Sequence, residues 1–316
     1  MPIPNFFIVG APKAGTDLLY YELDQHPEIY MSPLKEPCFY SSEIRRENFD
    51  AQIQEQMSQA EEATRQYIAG PMQQKRFGGV VSRREDYERL FAGVHQEKAI
   101  GEGSVCYLWS STAPYAIARD NPKARIVIVL MDPAERAFHQ YLKSVSDGTV
   151  RHAFHRHLDL AMACDQQKLG IFHPFLAFGN YAGQVRRYRE CFPAAQIHLS
   201  LYEETQTDRG TWLAHIFAFL GVNSGFRPGP VEVPSIPHVP RFAGLSHALR
   251  LRQIKDMAKQ VLPKTMLDAA KKKRRAREHI LPALAPEDRA RLVGYYREDI
   301  LRLQDLISRD LSAWLQ

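Results

Sequence analysis

A lysine lying between two glycines, in the run IVGAPKAGT over residues 8–16, is where residue types and spacing first point to chemistry. The apolar run before it reads as a strand and the segment after it as a helix, so Lys13 sits in a strand–loop–helix turn. The backbone N–H groups of such a loop, the N–H groups at a helix start and a mobile ammonium together make an anion site, typically for a phosphate ester. Lys13, Ala14, Gly15 and Thr16 offer all three. The competing reading is a tight turn with a solvated lysine. The triphosphate loop GxxxxGK[ST] puts its lysine after the second glycine. Here the order is G-x-x-K-x-G-T, and that match fails. RIVIVLMD, residues 125–132, keeps a second chemistry open, because an apolar strand ending on an acid (Asp132) suits a magnesium-dependent phosphotransferase.

The elements that must hold these residues follow from the hydrophobic pattern. FFIV (6–9) is a short unbroken apolar run of the kind a strand buried on both faces needs. In TDLLYYELDQHP (16–27), Leu18, Leu19 and Leu23 recur at helical spacing, Thr16 can cap the start and Pro27 stops the pattern. Further strands are predicted at KAIGEGS (98–104), RIVIVLMD (125–132) and QIHLSLYEE (196–204). Helices are predicted at PAERAFHQYLKSVSDG (133–148), NYAGQVRRYREC (180–191), TWLAHIFAFLGV (211–222), around 245–260 and at 288–308. Strands alternating with helices give an α/β fold with a central parallel sheet flanked by helices and ligands at the carboxyl edge of the strands. Lys13, Asp132 and Tyr202 fall at that edge.

The polar stretch 44–95 reads as an elaboration of surface helices and loops, and the proline-rich stretch 223–243 as an irregular loop. With no internal repeat and no boundary signal, residues 1–316 are expected to form one domain. The 41 basic and 36 acidic residues leave +5, enough to favour anionic ligands but far from the density of a nucleic-acid binder. Four scattered cysteines without a CxxC pair argue against a disulfide framework or a zinc site and read as reduced, packed thiols. No run of 18 apolar residues and no basic-then-apolar leader are present, so a soluble, cytoplasmic protein is expected. The run KKKRRAR (271–277) is a solvated helix face or a weak contact for an anionic surface.

The segment FFIVGAPKAGTDLLYYELDQHPEIYMSPLKEPCFY resembles the opening of the sulfotransferases that use 3′-phosphoadenosine 5′-phosphosulfate (PAPS), especially the branch shared by bacterial and heparan-sulfate enzymes. Pro12-Lys13-Ala14-Gly15-Thr16, His26-Pro27 and Lys35-Glu36-Pro37-Cys38-Phe39-Tyr40 match that family's PK-[TAS]-G-T loop, HP helix end and KEPHFF-like segment in order. GEGSVCYL (101–108) is similar to its GEKTPxYL strand, MDPAERAFHQY (131–141) to its RDPxxRAYSHY segment, and residues 179–204 to its GxY…FPxxQI…YE stretch. The resemblance spans the chain apart from the polar stretch and residues 223–287.

The resemblance implies a P-loop-like sulfotransferase fold and a sulfuryl transfer from PAPS to a hydroxyl or amine, with adenosine 3′,5′-bisphosphate released and no metal required. It implies that Lys13 holds the phosphosulfate and neutralises charge on the bridging oxygen, helped by backbone N–H groups of Ala14, Gly15, Thr16 and Asp17. Glu36 is implied as the base that takes the acceptor's proton, with Glu102 in reserve. Asp17 stands where the family has Ser or Thr, and a helix cap is the expected use of its carboxylate. At the 3′-phosphate the family's arginine and serine are replaced by Met131 and His139. His139 and Arg241 are the expected replacements, with Arg136 as a further candidate. Tyr107, Trp109 and Tyr202 are candidates for lining the acceptor cleft or stacking on adenine, or else core aromatics. The acceptor is open among sugar, lipid and natural-product hydroxyls. A magnesium-dependent kinase and a non-catalytic nucleotide-binding protein are the alternatives, as is a different sulfate ester as donor.

Overall fold

The computed structural model describes residues 3–49, 51–164, 174–231 and 282–316. Arg241, the predicted helix at 245–260, most of the proline-rich stretch and the 271–277 basic run lie outside them. Five strands form one all-parallel sheet: β1 (Phe6–Ile8), β2 (Ile29–Met31), β5 (Ala99–Gly103), β6 (Arg125–Leu130) and β7 (Ile197–Leu201), in the order β2-β5-β1-β6-β7. Every residue of β1, and every residue of β6 after Arg125, is buried. Successive side chains of a strand point to opposite faces, so helices must cover both. One helical group is α1 (Thr16–Leu23) with α10 (Arg209–Leu220), tied by an Arg209–Glu22 ion pair at 2.5 Å. Another is α6 (Pro133–Ser146), α8 (Tyr181–Cys191) and α11 (Pro286–Ile307), in which the Tyr181 hydroxyl reaches the Met131 carbonyl at the end of β6.

Four of these strands sit where the apolar runs put them. The edge strand β2 is the fifth; its three residues, IYM, are too short to stand out from pattern. The 196–204 run is strand only to Leu201, and Tyr202 opens the short helix α9 (Tyr202–Thr207). There Glu204 reaches back to the Leu201 N–H at 3.0 Å, which favours a helix start over continued extension. α1 ends at Leu23, before Pro27, and His26 closes its exit: one ring nitrogen accepts from the Glu28 N–H and the other contacts the Asn223 carbonyl. His26 is therefore a buried pin at the helix exit, its ring packed between Phe217 and Phe226, while Pro27 is exposed.

The polar stretch does more than decorate the surface. It contains α2 (Ala51–Ala69), α3 (Arg84–Arg89) and β4 (Arg76–Phe77), which pairs in parallel with β3 (Leu34–Lys35). That second, two-stranded sheet backs the KEP segment. The remaining described helices include α4 (Cys106–Trp109), α5 (Ala113–Asp120) and α7 (Phe154–Ala163).

Candidate active site

The loop from β1 to α1 is built by two left-handed residues, Lys13 (φ 72°) and Gly15 (φ 81°). Gly15 is the residue flanking the helix start, and a side chain there meets two constraints: the positive φ, and the Tyr202 ring 3.2 Å from where a Cβ would sit. Thr16 is thus the first helical residue, buried, and caps nothing. The first helical bond runs from the Leu19 N–H to the Gly15 carbonyl, so the preceding turn directs its N–H groups out of the helix start, where an anion is stabilised. Ala14 is different, since its N–H closes the turn onto the Ala11 carbonyl at 3.1 Å.

The KEP segment meets this loop through one buried atom. Lys35 Nζ is 2.8 Å from Asp17 Oδ1 and 2.6 Å from Glu36 Oε1, with the Lys35 side chain only 1% exposed. Burial alone lowers an ammonium, but the Glu36 and Asp17 carboxylates together outweigh it and hold Lys35 above its ordinary value. Asp17 therefore does not cap the helix as its type suggests. A desolvated ammonium needs a counter-charge more than the helix needs a cap.

Glu36 is itself left-handed (φ 66°), and its other carboxylate oxygen accepts from the Val105 N–H at 2.9 Å, past the end of β5. Cys38 is also left-handed (φ 53°). Among the described residues, three of the five non-glycine positive-φ residues are Lys13, Glu36 and Cys38. Such backbone strain persists only where surrounding contacts impose it, and it gathers at functional sites.

Burial lowers the Lys13 ammonium; Asp17 opposes this and the Lys143 cation adds to it, with Asp147 and Glu36 also raising it. Lys143 is one turn beyond His139 on α6 and is paired with Asp147 at 2.5 Å. His139 is lowered first by burial and then by Lys13, both of which disfavour its charged form. Lys13, Glu36, His139 and Lys143 thus share one electrostatic neighbourhood. Lys35 and Lys143 were not legible as site residues; the fixed spacing of Lys35 from Glu36 was the available signal.

Other candidates lie elsewhere. Glu102 is fully buried and accepts from the Tyr107, Tyr87 and Ser104 hydroxyls at 2.8, 2.9 and 2.8 Å. Burial pushes its carboxyl up to about 7, and the three hydroxyls work against that rise. Tyr107 is 0% exposed, so its ring stands behind the cleft and not on its wall. Arg136 is likewise sealed in, its guanidinium donating to Gln140 and to the Phe175 carbonyl, each at 2.6 Å, and it presents no cation to a phosphate. Trp109 packs edge-on against Phe178, while Tyr202 lies over the Gly15 loop. Asp132 caps α6 through Oδ1 and pairs with Arg289 at 2.8 Å through Oδ2, so its carboxylate is committed to the fold. That removes the residue on which a magnesium-dependent reading rested.

Comparison with known proteins decides the family. A model of the sulfotransferase family matches residues 4–226. The chain belongs to the sulfotransferase family. This family member is similar to a crystal structure of a sulfotransferase from Alicyclobacillus acidocaldarius, at 28% identity and TM-score 0.70, with 100% of each chain covered. It is 23% identical to the human bifunctional heparan sulfate N-deacetylase/N-sulfotransferase 3, over 99% of this chain and 31% of that protein. It is 26% identical to human carbohydrate sulfotransferase 15, over 51% of this chain and 30% of that protein. The chain therefore spans about a third of the length of these curated relatives. Among its described residues, no helix is long and apolar enough to cross a membrane.

Proposed function

We propose that this chain, as a single domain, transfers a sulfuryl group from PAPS to a hydroxyl or amine of a saccharide acceptor, releasing adenosine 3′,5′-bisphosphate. The observation that carries this reading is the Lys35 ammonium, which joins Asp17 of the anion-type loop to Glu36 at 2.8 and 2.6 Å. Lys13 and Glu36 thereby act on one cleft. The saccharide class is argued from the heparan sulfate and carbohydrate sulfotransferases to which the chain is similar.

PAPS supplies the activated sulfuryl group, which an acceptor oxygen or nitrogen attacks in line as the 5′-phosphate leaves. The residues fit such a donor: a loop shaped by two positive-φ residues, a helix start and a partly desolvated lysine address a phosphosulfate. Lys13 stabilises the charge that grows on the bridging oxygen, where low dielectric strengthens it. Glu36, oriented by Lys35 and by the Val105 N–H, takes the acceptor's proton. With Met131 buried and Arg136 sealed in, the side chains of α6 assigned to the 3′-phosphate are His139, as a hydrogen-bond donor, and Lys143, as a cation shared with Asp147.

Calorimetric titration with adenosine 3′,5′-bisphosphate, with and without a chelator, tests the donor. Binding that ignores the chelator supports the proposal. A requirement for ATP and magnesium overturns it, and absence of binding leaves a non-catalytic protein. An acceptor screen with labelled PAPS then names the substrate.

A further inference from the structure

Cys38 and Cys106 stand 68 positions apart in sequence, yet their Sγ atoms are 2.9 Å apart. Both are free thiols. We propose that they are a reversible oxidation site: a dithiol that closes to a disulfide and staples the KEP segment to the β5–α4 turn. This stands independently of the sulfuryl-transfer reading.

Three observations carry it. The first is proximity, since a disulfide joins sulfurs at about 2.05 Å, so closure calls for a movement of less than an ångström. The second is that both partners are already held by other bonds. The Cys38 N–H donates to Ser104 Oγ at 3.1 Å, and the Ser41 hydroxyl contacts Cys106 Sγ at 3.4 Å. The third is access. Cys106 is buried, but Cys38 is partly exposed and lines a polar cavity of about 410 Å³ together with Phe39, Arg45, Arg46, Arg65 and Ser82. The exposed Arg45, Arg46 and Arg65 bring that cavity to the surface. The contact with Cys106, and then burial, hold the Cys38 thiol above its ordinary value.

The placement ties the staple to Glu36. Cys38 follows Glu36 by two residues, and Cys106 follows Val105, whose N–H donates to Glu36 Oε2. A bond between the two sulfurs fixes both segments that grip this carboxylate. The chemistry is thiol–disulfide exchange with a low-molecular-weight disulfide, R–S–S–R. The Cys38 thiolate attacks one sulfur, forming a mixed disulfide and expelling RS⁻. The Cys106 thiolate then attacks Cys38 Sγ, forming the intramolecular bond and expelling a second RS⁻. Two electrons pass from the protein to the reagent, and both thiol protons end on two RSH.

The test treats the full chain with 2-hydroxyethyl disulfide, followed by peptide mapping without reductant and thiol titration in denaturant. Expected are a Cys38–Cys106 linked peptide pair, loss of two of the four titratable thiols, reversal by dithiothreitol, and a rise in Tm of about 5 °C. Cys106→Ser should instead trap the mixed disulfide on Cys38. Four unreacted thiols, a linkage to Cys164 or Cys191, or a wild-type mixed disulfide on Cys38 that never resolves would each overturn the proposal. If Cys106→Ser does not fold, the wild-type map decides alone.

Discussion

Lys35 and Asp17 form an ion pair at 2.8 Å that joins a strand-end segment to the first turn of α1. Because Lys35 also holds Glu36, one buried ammonium sets the distance between the anion-type loop and the candidate base. Removing the charge of Lys35 leaves two carboxylates facing one another, and breaking a buried pair on one side costs about 3–5 kcal/mol. Lys35→Met should destabilise by that order. The double variant Lys35→Met with Asp17→Thr should recover part of it, as read by denaturant melts. Additive losses would show that the two residues do not act as a pair.

Lys13→Ala removes the one mobile cation that the loop offers to a phosphosulfate. A loss in kcat of about 10²-fold or more is expected, in the range seen when one charge-stabilising donor is removed. The measurement is turnover with labelled PAPS alongside a thermal melt. Wild-type turnover would take Lys13 out of the chemistry.

Glu102 gives a pH signature. Its folded carboxyl titrates at about 7, against an ordinary 4.5 for the unfolded chain. A group raised on folding binds its proton more tightly in the folded state. Its contribution is therefore fully present below 4.5, declines as pH rises from 4.5 to 7, and is lost above 7. The wild type should lose stability relative to Glu102→Gln by on the order of 3 kcal/mol across that window. Melts at pH 4.5, 6 and 8 measure it, and parallel profiles would contradict the assignment.

Burial, and then Lys13, hold the His139 imidazole below its ordinary value in the free protein. A bound phosphate dianion raises its affinity for a proton, so ligand binding should take up a proton as pH falls toward 6. Calorimetry with adenosine 3′,5′-bisphosphate in buffers of different ionisation enthalpy reads this uptake. His139→Ala should abolish it and weaken binding at pH 6 more than at pH 8. Identical proton uptake in the variant would move the linkage to another group.

The hydrophobic pattern alone located β1, β5, β6 and β7; β1 and, after Arg125, β6 stand out most because strands buried on both faces must be apolar throughout. The glycine-flanked Lys13 loop was legible for a similar reason: its conformation demands residues of restricted type. The three-residue strand β2, the pairing of β4 with β3 and the turn to helix at Tyr202 carry no such signature. Charge assignments diverged further. Local position alone makes Asp17 a helix cap and Asp132 an acid free to bind metal. Tertiary structure instead gave Asp17 to Lys35 and committed Asp132 to α6 and Arg289. Arg136 and Tyr107 have side chains suited to a site but were folded into the interior. Sequence determined which segments must be buried and which loop must bend, since those are local properties of residue type. Which charge meets which, and which thiol meets which, depended on segments many residues apart being brought within a few ångströms. Only the packed fold fixes those distances.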